Sequence, residues 1–453
     1  MACYPEYRTI NLPWLKKIPV NWRLVRNKQF LLEKKDLVGN LFSQYTLLSL
    51  TLNGIIKRDL SGKKGKLPSS FDTYKVIEPG DFICCLFDMD ETPRTVGLSE
   101  YNGMITGAYT VFGIHDINPE FLYYYYLSLD NIKALRPLYT GLRKTIKTDT
   151  FLALKLPVPP RAEQDQIVRF LDWKVSEINK LIHIKKELIE RISEKLLVKT
   201  NYLLTHGKKT HDAFIRTAMD WAPEIPNSWS VSRIRNHFEI LKRIAGKEGY
   251  DVFSITQQGL KVRNVHLYEG QLAADYSGYQ FVSPGEFAMN HMDLLTGGVG
   301  IAEHFGVTSP DYRVFKLFDD KRCYAPYYLY IFQLCYRRHA FYRFGRGAAT
   351  VGRWRLPADA FKNFEIPVPP YDEQVEIVGM IDKEAESTKI AIEYIQRQIE
   401  NLKELKSVII SDVVTGKIDV RNITIPAYEH VDDVADDDTD NDNEAAEAGE
   451  EEG

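Results

Sequence analysis

Two stretches of the chain carry apolar residues at a helical period, and the segments before them do not. In the first, Ile167, Leu171, Val175, Ile178, Ile182, Ile189, Ile192 and Leu196 are spaced 4, 4, 3, 4, 7, 3 and 4 apart. That spacing is one face of a helix, close to a heptad seam. In the second, Ile377, Ile381, Ala385, Thr388, Ile392, Ile399 and Leu402 repeat the stripe, which runs on to Ile409 and Val413. Pro157, Pro159 and Pro160 force an extended chain just before the first stretch. No glycine or proline interrupts 161–205, and Gly379 alone interrupts 371–415. The pattern predicts two helices of about 40–45 residues, roughly 60–68 Å each at 1.5 Å per residue. A helix that long with one apolar stripe needs a partner helix, and its own repeat is the obvious one. Elsewhere, short runs at Tyr74–Ile77, Asp81–Leu86, Thr110–Ile114 and Tyr312–Leu317 predict strands between Gly and Pro turns. Short helices are expected at 118–130 and 325–337.

The two helical stretches belong to a longer internal repeat. Leu156-Pro157-Val158-Pro159-Pro160 returns as Ile366-Pro367-Val368-Pro369-Pro370. The same register pairs Glu163-Gln164 with Glu373-Gln374, Ile167-Val168 with Ile377-Val378, Asp172 with Asp382, and Thr205 with Thr415. Upstream the match is looser. Ile18-Pro19 with Trp22 answers Ile225-Pro226 with Trp229, and Pro79-Gly80-Asp81-Phe82 answers Pro284-Gly285-Glu286-Phe287. Tyr109 with Val111-Phe112 answers Tyr312 with Val314-Phe315. The order is therefore variable region, shared helix, variable region, shared helix. The expected fold is α/β (α+β): two tandem domains with twisted sheets, each followed by a long helix, the two helices pairing with each other. The expected divisions are 1–155, 156–207, 208–365, 366–422 and an acidic, disordered tail at 423–453.

Composition changes the picture in one respect. The chain has 453 residues, 44% hydrophobic and 26% charged, which is ordinary globular material. Its formal charge is −4, yet thirteen of its acids and no Lys or Arg lie after Arg421, so residues 1–421 carry +9. A basic body can bind a polyanion, although many soluble domains with such a charge touch none. Five scattered cysteines, Cys3, Cys84, Cys85, Cys323 and Cys335, make no CxxC pair and no zinc spacing. No run of about 18 apolar residues suits a membrane span, and the start of the chain lacks the layout of a signal peptide. A cytoplasmic protein that keeps its thiols reduced is expected.

Chemistry-bearing motifs are absent. There is no phosphate loop, no dinucleotide fingerprint, no nucleophile elbow and no zinc-deaminase signature. Gly297-Gly298-Val299-Gly300 reads as a turn. No Asn/Asp-Pro-Pro-aromatic tetrapeptide, which amino-methyltransferases use to hold a flipped adenine, occurs. Basic and small residues do cluster twice, at Thr140-Gly141-Leu142-Arg143-Lys144-Thr145-Ile146-Lys147 and at 345–355. Each cluster sits one short segment before the proline-rich element of its half. Arginine can fork onto guanine edges, while Lys, Thr and backbone N–H groups hold phosphates. The candidate DNA contacts are Gly141, Arg143, Lys144, Thr145 and Lys147, then Arg346, Thr350, Arg353 and Arg355. A solvated basic loop is the competing reading of each, and recurrence in both halves favours the functional one. Arg94 and the basic stretches 57–58 and 63–66 are weaker candidates, for which a surface loop is the plainer reading. The aromatic run 121–126 reads as core, and Trp22 and Trp229 as packing anchors.

The doubled element Pro-Pro-x-x-Glu-Gln-x-x-Ile-Val, each copy after a divergent half and before a long helix, resembles the specificity subunit of type I restriction-modification systems. The similarity runs from about residue 12 to 422, and Gly141-Leu142-Arg143-Lys144 is similar to that family's glycine-basic loop. The resemblance implies a non-catalytic subunit that binds a bipartite, gapped double-stranded DNA target. It implies two adenine methyltransferase subunits and restriction subunits as partners. It also implies that S-adenosylmethionine, ATP and Mg are held by those partners and no cofactor by this chain. It implies two tandem target-recognition domains joined by the two long helices as an antiparallel coiled coil in a pseudo-two-fold repeat, the helix pair acting as a spacer. Three other readings stay open: a related system whose partner fuses methyltransferase and nuclease, a self-sufficient nuclease or methyltransferase, and a coiled-coil scaffold with no DNA role.

Overall fold

The protein is described from a computed structural model covering residues 2–58, 70–208, 211, 213–263, 275–347 and 354–432. It divides into two units, Met1–Glu187 with Ile395–Gly453, and Leu188–Tyr394. The helices, numbered in chain order, are α1 (Pro119–Asn131), α2 (Thr148–Ala153), α3 (Arg161–His206), α4 (Ala325–Arg337), α5 (Ala358–Asn363) and α6 (Tyr371–Val414). The expected helices match α1, α4 and the two long elements α3 and α6 to within a residue or so at each end. The four expected strands are all present, three of them trimmed at the ends.

Each unit holds a four-stranded antiparallel sheet of the same order. In the first unit the order is Leu31–Lys34, Thr110–Ile114, Phe82–Cys84, Val96–Leu98. In the second it is Phe238–Leu241, Arg313–Leu317, Phe287–Met289, Val299–Ile301. Even the register recurs, with Thr110 opposite Cys84 and Arg313 opposite Met289. The two-stranded pairs recur as well. Leu48–Thr51 with Gly54–Lys57 answers Phe253–Thr256 with Gly259–Val262, and Arg23–Arg26 with Lys155–Val158 answers Ser230–Arg233 with Glu365–Val368. The loose sequence match upstream of the helices is thus a strand-by-strand match in three dimensions. Apolar faces fill the cores: Phe121, Tyr125 and Tyr126 of α1 are buried, as are Tyr327, Tyr328, Ile331 and Phe332 of α4. The aromatic run is core because these rings fill the interior, where each removes a large apolar area from water.

The repeated proline element has a specific task at the start of each long helix. Pro160 O accepts the first-turn N–H groups of Glu163 and Gln164, at 2.9 and 3.0 Å. Gln164 Nε2 donates back to Pro159 O at 2.9 Å, and its Oε1 accepts the backbone N–H of Asn118, at the start of α1, at 2.9 Å. The Glu163 carboxylate, 6% exposed, accepts from Tyr4 Oη at 2.7 Å, Trp22 Nε1 at 2.7 Å and Asn21 Nδ2 at 2.9 Å. The second unit repeats this. Gln374 spans Pro369 O and the Tyr324 N–H at the start of α4, and Glu373 accepts from Trp229 Nε1 at 3.0 Å. Each long helix also stops against such a tryptophan. Gly207 and Gly416 close α3 and α6 at φ +71° and +73°. A Cβ on Gly207 would come within 3.1 Å of Trp229, and one on Gly416 within 2.5 Å of Pro19 and 3.3 Å of Trp22. Only glycine suits a left-handed position so tightly covered.

The long helices pair antiparallel in each unit. In the first, Lys185 reaches Gln398 and Lys406 reaches Asn179. In the second, Lys199 bonds Glu384 and Lys208 bonds Glu376. Ile167, Leu171, Ile178 and Ile182 are buried, as are Ile377, Ile381, Ile399, Ile409 and Val413. Beyond α6 the described residues, to Asp432, form no helix or strand but are held along α3. Gln166 Nε2 donates to Val420 O and Ile423 O, and Asn179 Nδ2 donates to Val431 O at 3.0 Å. The acidic stretch from 433 onward lies outside the described residues.

Removing the Glu163 carboxylate strands the buried donors of Tyr4 and Trp22, and a buried unpaired donor is costly. Glu163→Ala is expected to destabilise the protein by about 3 kcal/mol. Denaturant titration of the first unit's tryptophan fluorescence checks this, and a loss under about 0.5 kcal/mol would mean that the donors find other partners.

Candidate nucleic-acid interface

The two basic clusters fall at equivalent places: a complete hairpin in the first unit and, in the second, a paired base below residues 348–353, which lie outside the described residues. In the first unit a 3-10 turn, Arg136–Leu138, leads into a pairing of Thr140 with Thr145. Their N–H and C=O groups bond reciprocally at 3.0 and 2.9 Å, and Lys144 N closes the turn onto Gly141 O at 3.3 Å. Gly141 and Lys144 are left-handed, at φ +71° and +44°. Ile146 then anchors the hairpin, its side chain buried and its N–H on Leu86 O at 2.8 Å. In the second unit a 3-10 turn, Tyr342–Phe344, leads into the same reciprocal pairing of Arg346 with Arg355, at 2.8 and 3.1 Å. Leu356, the counterpart of Ile146, bonds His291 O at 2.9 Å. Trp354 donates to Tyr342 O at 2.6 Å and stacks on that tyrosine ring. Thr350 and Arg353, both candidates from the sequence, lie outside the described residues.

In the first hairpin the cations are already oriented. Arg143 donates from Nη2 and Nε to Asp88 Oδ2, at 2.9 and 3.2 Å, with its guanidinium 5.1 Å from the centre of the Phe87 ring. Lys144 Nζ lies 3.1 Å from Glu91 and 3.6 Å from Asp90. A hydrogen bond from Arg136 holds the Asp90 carboxyl below the usual carboxylate range. Asp88 N also donates to Arg143 O at 2.7 Å, so the acidic loop supports the hairpin backbone and side chains together. These ion pairs face water, where they are weak, and a phosphate can take over the cations. Thr145 spends its hydroxyl on Arg143 O, and Lys147 is exposed at the start of α2.

Arg94 is placed differently. Its Nη1 bonds Asp130 at 3.2 Å and Asn131 at 2.9 Å, and its side chain is 13% exposed. Asp130 also binds Lys133 and Thr95. Arg94 therefore ties the end of α1 to the strand Val96–Leu98. Lys57 lies over the Tyr101 ring, and the stretch 63–66 is outside the described residues. The glycines 297, 298 and 300 serve backbone proximity: a Cβ on Gly298 would meet Thr256 O at 2.1 Å, and one on Gly300 would meet Leu260 N at 2.6 Å.

Sequence reasoning missed two features. One is the acidic loop, whose Asp88 lies 55 residues before Arg143. The other is Arg313 with His291, behind the second hairpin. Arg313 is buried, donates from Nη2 to Leu356 O at 2.9 Å and lies over the Phe361 ring, while its buried Nη1 has no hydrogen-bond partner among the described residues. Burial lowers its pKa to about 10. Burial, then the nearby Arg313, Arg355 and Lys242, lower the pKa of His291 to about 4. The register of the repeat could have flagged this pair, since Thr110 and Leu86 stand at the matching places in the first unit.

A family model described as type I restriction modification DNA specificity domain matches residues 92–193 and 245–427. Among solved structures, one similar chain is described as the structural basis underlying complex assembly and conformational transition of the type I R-M system. It is 14% identical, with 88% of this chain and 99% of that chain covered and a TM-score of 0.58, so the likeness is one of fold. An HsdS subunit from Thermoanaerobacter tengcongensis is 15% identical, with 88% and 98% covered and a TM-score of 0.43.

A histidine whose folded pKa lies below its unfolded value of about 6.5 takes up its proton preferentially in the unfolded chain. Stability from neutral His291 is fully present above about pH 6.5 and is lost as the pH falls toward about 4. Between pH 7 and pH 5 the melting temperature should therefore drop less in His291→Gln than in the wild type. Calorimetry at the two pH values checks this, and equal drops would show that folding does not lower the pKa of His291.

Proposed function

The chain belongs to the type I restriction modification DNA specificity family, and from that premise we propose that its two domains read the two parts of one gapped, asymmetric duplex target through their equivalent hairpins. It is the DNA specificity subunit of a type I restriction-modification system, in a family that is non-catalytic and binds no cofactor itself. No described helix is long and apolar enough to cross a membrane.

One observation supports the two-part reading: the pairs Thr140–Thr145 and Arg346–Arg355 stand at equivalent places in the two units, and the segments they close differ in length and sequence. A shared base with divergent segments above it suits two readings of one kind but of different sequence. Arg143, and Arg346 and Arg355 in the second unit, are suited to guanine edges; Lys144, Lys147 and the threonines are suited to phosphates. Gly141, and in the second hairpin Thr350 and Arg353, belong to the same proposed surface, whereas Arg94 serves the fold. Phosphate contacts would make binding fall steeply with salt.

The helices α3 and α6 supply the proposed spacer, since a stiff pair converts a length into base pairs at about 3.4 Å each. Two adenine methyltransferase subunits would attach to equivalent surfaces of the repeat, as tandem halves favour, with restriction subunits joining them in the cytoplasm. S-adenosylmethionine, ATP and Mg would belong to those partners.

Arg143→Ala with Lys144→Ala should lower methylation of the target by about tenfold or more without preventing assembly. Methylome sequencing of a host expressing the system, with the mass of the purified complex, measures both. Unchanged methylation would remove this hairpin from the interface. Four residues inserted between 180 and 190 should change the preferred gap in the methylated sequence, and an unchanged gap would reject the spacer.

A further inference from the structure

Leu142 occupies the outermost point of the first hairpin, its side chain fully exposed. Every other side chain of the turn is engaged: Arg143 by Asp88 and Phe87, Lys144 by Glu91 and Asp90, Thr140 and Thr145 by backbone oxygens. The backbone beneath is held by the reciprocal Thr140–Thr145 bonds, by Lys144 N on Gly141 O and by Asp88 N on Arg143 O. An isobutyl group is thus kept in water, on a fixed turn, next to Arg143 and Lys144 in the chain.

The fold gives no reason for leucine there. Such tips favour Gly, Asn, Asp or Ser, which satisfy the turn and the solvent. Isolated exposed leucines are common on protein surfaces. This one packs on nothing. The neighbouring cations Arg143 and Lys144 favour a polyanion, and the apolar surface a polyanionic duplex offers is that of its bases. That surface is either the thymine methyl group in the major groove or the face of a base at an opened step.

Building on the DNA-specificity reading, we infer that Leu142 contacts a base of the first half-target through its apolar side chain, while Arg143 and Lys144 hold the adjacent edge and backbone. Burying a leucine side chain is worth about tenfold or more in affinity.

The experiment uses the complete methyltransferase complex, with the target taken from methylome sequencing and a scrambled duplex as control. Leu142→Ala is expected to weaken binding of the cognate duplex about tenfold and to leave the scrambled duplex, the assembly and the melting temperature unchanged. Deoxyuridine replacing one thymine of that half-target would cost wild type, and not Leu142→Ala, a similar factor if the contact is a methyl group. A 2-aminopurine placed at one step would brighten with wild type and not with Leu142→Ala if the contact is a base face. Cognate affinity within twofold of wild type overturns the inference. So does an equal loss on both duplexes, or a loss of assembly that would mark Leu142 as a subunit contact. Wild type failing to distinguish the duplexes would instead strike at the target assignment on which the inference rests.

Discussion

A buried carboxylate at the start of each long helix fixes how domain and helix are joined. Glu163 and Glu373 are each 6% exposed, and a buried carboxyl group is costly unless donors meet it. Trp22, Tyr4 and Asn21 meet the first, and Trp229 meets the second. The adjacent glutamines reach the starts of α1 and α4. Apolar packing alone is non-directional and tolerates sliding. These hydrogen bonds do not, so each helix leaves its domain at a defined angle and register.

With the joint fixed, each sheet can carry a reader. The hairpin bases are tied to the segments that follow the strands Phe82–Cys84 and Phe287–Met289 by backbone bonds, Ile146 to Leu86 and Asp88 to Arg143 in the first unit, Leu356 to His291 and Leu294 to Trp354 in the second, and by one buried side chain each. The tip residues Gly141, Leu142 and Arg143 are exposed and contribute little to the core. The first hairpin is braced by acids, the second by Trp354 on Tyr342 with Arg313 and His291 behind it. The same paired base is thus braced in two different ways.

Much of this was legible before the structure. The helical stripes, the proline-rich element and the basic clusters are local patterns, and local patterns report local structure. The anchors Trp22 and Trp229 were recognisable because they recur at one place in a repeat. Other features were not legible. The N-terminal hairpin Tyr7–Leu12 with Leu15–Pro19 has no strong alternation, and its pairing rests on the turn between its strands. The pairing of Arg143 with Asp88 spans 55 residues, and nothing near Arg143 announces it. Leu142 was visible only as one letter in a basic motif; its exposure depends on where the hairpin points.

The sequence by itself determined the repeat, the two long helices, the positions of the divergent regions and, through the doubled Pro-Pro-x-x-Glu-Gln element, the family. These follow from periodicity and spacing along one dimension. Only the tertiary structure decided that the glutamate of that element grips a tryptophan 141 residues earlier, that Arg94 bonds Asp130, and that the two basic clusters share a paired base at equivalent places in their units. The physical reason is that burial and hydrogen-bond satisfaction are settled between residues brought together by folding. A side chain's role follows from what surrounds it, and for these residues the surroundings lie far away along the chain.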